Sequence, residues 1–203
     1  MPKFTEGDYI DQDGAVKLLS YILKKMKTNQ SDKMLSTMLA AYCTECLLST
    51  GSESDWTAHG TMLQVPEKIY LTSAMRFRTI FTQVPEECQV IPAIYRYSDT
   101  GVCTLVASGA KTTITATGWC DINVTAAVDD YLNPNLTYFL VYLHNAASMR
   151  TLGYQSPYVD NLPYVAWTAQ NLGALTQAPQ TLSLETSSPI KLFGSLYVNQ
   201  PIS

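Results

Sequence analysis

The apolar positions divide the chain into two textures. Between Asp13 and Leu47 they recur at helical spacing. Val16, Leu19, Ile22, Leu23 and Met26 form one stripe, with Lys17, Lys24 and Lys25 off it. Asp13 is placed to accept hydrogen bonds from first-turn amides, and residues 27–30 (Lys-Thr-Asn-Gln) break the pattern. Ser31 or Asp32 then caps a second stripe of Met34, Leu35, Met38, Leu39, Tyr42, Cys43, Cys46 and Leu47. Two amphipathic helices joined by a short loop predict an antiparallel hairpin. Such a hairpin must bury its stripes against the rest of the chain or another subunit. Residues 49–60, rich in Ser, Gly and acids, read as a linker.

Beyond Pro66 the period shortens. β-rich runs at 68–73, 75–82, 90–97, 102–108, 112–117, 119–125, 136–144 and 190–198 are separated by turn residues, among them Asp99-Thr100-Gly101, Gly118 and Asn133-Pro134-Asn135. That rhythm predicts an antiparallel sandwich or barrel. Threonines alternate with Ile114 and Ala116 in 111–118, as on a strand with one wet face, whereas 138–143 is almost continuously apolar, as in a central strand covered on both sides. Residues 154–188 carry Pro157, Pro163 and Pro179 with little periodicity, and read as long loops crossing between sheets or lying on a neighbour. The expected fold is α+β: an N-terminal arm, helical hairpin and linker over 1–60, then a jelly-roll-like antiparallel β-sandwich with Pro-rich C-terminal loops over 61–203.

Charge narrows the function classes. Only 15% of residues are charged, against a usual share of roughly 25%, so polarity rests on Ser, Thr, Asn, Gln and 13 Tyr, a mix suited to wet β-surfaces. A net charge of −4 gives no electrostatic footprint for nucleic acid. No apolar run approaches the roughly 20 residues of a membrane-spanning helix. Five cysteines, an odd number, with no charged-then-apolar leader after Met1, point to folding in a reducing cytosol.

Candidate chemistry is sparse. Cys43 and Cys46 have C-x-x-C spacing but continue an apolar stripe, which fits packing better than redox work. His59 and His144 stand apart, His144 reading as a strand-end residue that reaches solvent, and the cysteines lack paired zinc spacing. Glu86-Glu87 and Asp129-Asp130 are adjacent, and neighbours on an extended chain point in opposite directions, so neither doublet is itself a catalytic pair. No catalytic, cofactor-binding or metal-ligating residue is assigned. The aromatic loop set remains: Tyr158, Asp160, Asn161 and Trp167 are the candidate ligand contacts, through ring stacking with amide and carboxylate hydrogen bonds.

Four stretches carry a resemblance: Ile94-Tyr95-Arg96-Tyr97, Leu105-Val106-Ala107-Ser108-Gly109, Gly118-Trp119, and residues 136–143 (Leu-Thr-Tyr-Phe-Leu-Val-Tyr-Leu). Over 89–156 the chain resembles β-sandwich modules of tailed-bacteriophage virion proteins, of the capsid-decoration, head-fibre and tail-fibre types. Asn135 departs from the glycine such modules usually carry before Thr-Tyr. The resemblance implies a non-enzymatic virion structural protein, made in the host bacterial cytoplasm and assembled as a homo-oligomer, a trimer above all, on partners such as the capsid shell. The N-terminal segment would then dock to the particle, with Leu35, Met38, Leu39 and Tyr42 as oligomer or particle contacts. The alternative is a glycan- or receptor-binding module.

Overall fold

The apolar run 138–143 lies at the centre of the molecule. A computed structural model describes residues 31–36, 44–49, 52, 55–63, 65–71, 75–84, 88–98, 100–126, 131–146, 148–155, 166–169, 171–183, 186–187, 190–192 and 194–200. Its strands are β1 (Ser31–Ser36), β2 (Thr44–Ser49), β3 (Thr57–Leu63), β4 (Ile69–Tyr70), β5 (Met75–Gln83), β6 (Cys88–Tyr97), β7 (Val102–Gly109), β8 (Thr112–Ile114) and β9 (Gly118–Ala126). They continue as β10 (Tyr131–Leu132), β11 (Tyr138–His144), β12 (Ser148–Gln155), β13 (Ala166–Ala169), β14 (Thr181–Ser183), β15 (Thr186–Ser187), β16 (Ile190–Leu192) and β17 (Ser195–Gln200). Among the described residues fifteen strands join one branched antiparallel sheet, and β4 and β10 form a separate ribbon.

β11 lies between β3 and β6, and its seven residues are all buried. Tyr138, Leu140 and Tyr142 enter one core; Phe139, Val141 and Leu143 enter another. The period-2 rule accounts for the split: a strand with an apolar layer on each side needs apolar residues at every position. The first core is closed by inward residues of the opposing strands: Met75, Phe77 and Phe81 of β5, Ile122 and Val124 of β9, and Leu196 and Val198 of β17. The result is β-sandwich-like. The second core is covered by Trp56 and by the segment 171–183, whose Ala178 and Leu182 are buried in it. Trp56 and that segment exchange backbone hydrogen bonds, Trp56 N–H to Gly173 O at 3.0 Å and Leu172 N–H to Trp56 O at 3.2 Å. The Tyr95 hydroxyl donates to Pro179 O at 2.7 Å. Part of the tract read as loop thus crosses the sheet and seals it.

β7 links the layers. Its register against β6 slips between Ile94 and Tyr95, a bulge, and past it residues 107–109 pair with β9. At that corner a Cβ on Gly109 would lie 2.8 Å from Pro92 Cγ and 2.9 Å from Asn123 O, so only glycine lets the chains approach.

The α+β expectation is overturned: the described residues are all-β and contain no helix. Of the predicted second helix, residues 31–36 form β1, paired with β17, and residues 44–47 fall in β2, paired with β12, while 37–43 lie outside the described residues. The spacing of Met34, Leu35 and Leu47 suits a helix locally. Pairing with β17 and β12, however, satisfies a whole row of backbone groups on each neighbour, and Leu35 is buried opposite Leu196. The predicted first helix, 13–26, lies outside the described residues. Residues 57–60, read as linker, instead open β3, where Thr57 and His59 are buried.

Candidate functional site

Strict alternation in β5, β9 and β17 turns one set of side chains to the core and the other outward. In β5, Met75, Phe77, Thr79 and Phe81 are buried while Arg76 is exposed and Arg78 partly so. In β9, Ile122 and Val124 are buried while Trp119, Asp121, Asn123 and Thr125 are exposed. The register sets Arg78 opposite Asp121, Ile80 opposite Trp119, and Arg76 between Asn123 and Tyr197.

Arg78 donates from Nε to Asp121 Oδ1 and from Nη2 to Oδ2, both at 2.7 Å, a bidentate fork across the strand pair. Arg76 Nη1 lies 3.8 Å from the same carboxylate. The Arg78 hydrogen bonds, with the charges of Arg78 and Arg76, hold the Asp121 carboxyl below its ordinary range against a smaller opposing effect of burial. The fixed guanidinium of Arg78 lies 5.8 Å from the Trp119 ring and 5.5 Å from the Tyr197 ring, and that of Arg76 lies 5.7 Å from Tyr197. These distances are in cation–π range. Trp119 is 59% exposed, a large apolar ring at the surface beside the Arg78–Asp121 pair. Trp, Tyr and Arg are the residues enriched where protein contacts carry most of their energy.

Inside the first core lies a polar seam. The Tyr142 hydroxyl donates to Thr79 Oγ1 at 2.6 Å, Thr79 and Thr151 share a hydrogen bond at 3.3 Å, and Thr151 donates to Ile80 O at 2.6 Å. His59 and His144 stack beside it, with centroids 5.1 Å apart and planes at 17°. Ala146 N–H donates to His144 Nδ1 at 3.3 Å, so the ring's proton sits on Nε2. Burial, and secondarily His59, push the His144 pKa down to about 3. The thiols are moved away from reactivity: burial pushes Cys88 up to about 11 and Cys103 up to about 12, and Cys88 donates to Met149 Sδ at 2.9 Å. These groups are spent on the core.

Of the residues singled out from sequence, Leu35 is 4% exposed in the first core. Trp167 lies in β13, with Gly60 of β3 and Ser187 of β15 as its register partners. Met38, Leu39, Tyr42, Tyr158, Asp160 and Asn161 lie outside the described residues, as do Glu86-Glu87 and Asp129-Asp130. The outward face of β5, β9 and β17 went unread. Its signal was present in Met75-Arg-Phe-Arg78 and Trp119-Cys-Asp-Ile-Asn-Val-Thr125, where polar and apolar residues alternate. No family model, curated protein or solved structure matches the chain.

Proposed function

We propose that this chain is a non-catalytic structural protein of a tailed-bacteriophage virion, a capsid-decoration or head-fibre component that assembles as a homo-oligomer, with a trimer favoured. The observation that carries the reading is the clamped outer face, where Trp119 and Tyr197 flank a guanidinium held by Asp121. Holding these side chains in place before contact lowers the ordering cost of association. The stretches that resemble virion modules also fall on neighbouring strands: Ile94–Tyr97 in β6, 105–109 in β7, Gly118-Trp119 in β9 and 138–143 in β11. β6 pairs with β7 and β11, and β7 pairs with β9, so together they make one continuous patch of sheet.

The test is the native mass, by light scattering, of the wild-type protein and of Trp119→Ala. Trp119 is surface-held, so the variant should keep the wild-type far-UV spectrum. The expected result is a trimer that dissociates in the variant. A wild-type monomer at high protein concentration, or an oligomer indifferent to Trp119, would count against the reading.

A further inference from the structure

A second surface, on the β4–β10 ribbon, has the composition of a ligand site. Ile69 and Leu132 pair across the ribbon and are buried in the first core, which anchors it. The other register pair, Tyr70 and Tyr131, therefore faces outward, 51% and 39% exposed, with ring centroids 6.2 Å apart. Lys68 Nζ sits over both rings, 3.9 Å from the Tyr131 centroid and 4.9 Å from that of Tyr70. The ammonium is thus drawn to two π faces and stands as a compact cation that an anion can meet.

Tyr131 also lines a cleft of about 90 Å³ with Arg96, Asn133, Leu136 and Tyr138. The walls of this cleft are pre-set. Asn133 N–H donates to the Tyr138 hydroxyl at 3.0 Å, Asn135 N–H to Asn133 Oδ1 at 2.9 Å, and Leu136 N–H to Asn133 O at 3.0 Å, closing a turn that includes Pro134. Leu136, 43% exposed, and the tyrosine rings offer apolar surface, and Arg96 brings the planar fork that matches a carboxylate.

We propose that this ribbon and cleft bind a carboxylate-bearing pyranose of an acidic glycan. The sugar's C–H face lies on Tyr131 and Leu136, and its carboxylate meets the two cations, Lys68 and Arg96. The site shares no residue with the Trp119 face or with the aromatic loop set, so it stands or falls apart from the assembly reading.

The experiment is calorimetric titration of the full chain at low salt with a galacturonic acid trisaccharide, and with the neutral galactose trisaccharide as its counterpart. The acidic sugar is expected to bind saturably and the neutral one about tenfold more weakly, since charge-assisted hydrogen bonds separate them. Lys68→Met should bring the acidic sugar down by the same factor, Tyr131→Ala should weaken both sugars, Tyr70→Ala should weaken the acidic one through the Lys68 it holds, and Trp119→Ala should change neither. Thermal melts identify any variant that has lost its fold; Lys68 is exposed, and Lys68→Met keeps the question answerable if the tyrosine variants unfold. Equal binding of the two sugars, binding of neither, or full affinity in Lys68→Met would overturn the proposal. So would saturable binding of choline, which would mark the tyrosine pair as a cation cage that Lys68 merely fills.

Discussion

His144 shows how one buried residue sets a pH limit on the whole fold. Its ring is fully buried, stacked on His59, and its folded pKa falls from 6.5 to about 3 through burial first and the neighbouring ring second. The unfolded chain therefore takes up the proton before the folded one does. The stabilisation is complete above about pH 6.5 and is lost as pH drops toward 3, at about 1.4 kcal/mol per pH unit for one such group. Urea unfolding at pH 7 and pH 5 should differ by about 2 kcal/mol for His144 alone. In His144→Leu that share of the difference should vanish. An unchanged pH dependence in the variant would mean that His144 is not the group responsible. From sequence this histidine ends an apolar strand and reaches solvent; it does end the strand, but it is fully buried. Its burial was not legible, because the covering comes from β3 and from residues far away in the chain.

Among the elements, legibility followed the number of faces a strand must bury. β5, β6, β7, β9 and β11 each carry enough alternating or continuous apolar residues to declare a strand, and their predicted limits lie within two residues of those observed. β3 does not: Thr57, His59 and Gly60 look like linker, and they become strand because β11 and β13 pair on either side. Residues 31–36 and 44–47 show the opposite failure. Helical spacing is a local signal, and here it was overruled by edge pairing with β17 and β12, since local propensity yields to long-range ladder and burial. Replacing Leu35 by Ala should therefore cost about 3 kcal/mol in chemical denaturation, the loss of a buried leucine that faces Leu196. A cost near zero would mean β1 is not held by its side chain.

At the scale of the whole molecule, two cores share the central strands, and each depends on a different cover. The first is closed by strands, the second by Trp56 and the segment 171–183. Trp56→Ala should cost about 4 kcal/mol and expose the second core, read as dye binding to apolar surface and as faster proteolysis within 171–183. Loss of stability with no gain in either signal would argue for a single cooperative core. The candidate sites divide in the same way. The Trp119 face could have been read from alternation in two neighbouring strands. The Lys68–Tyr70–Tyr131 site could not, because it joins residues some 60 positions apart through a ribbon of two-residue strands. The pairing of β1 with β17, from Ser31↔Gln200 to Ser36↔Ser195, also sets an order of events during synthesis. This edge of the sheet stays open until β17 has left the ribosome. So long a loop closure makes folding slow, on the scale of milliseconds to seconds for non-local β pairings. Until then the nascent chain carries an unpaired edge at residues 75–78 of β5, a ready template for pairing with another chain.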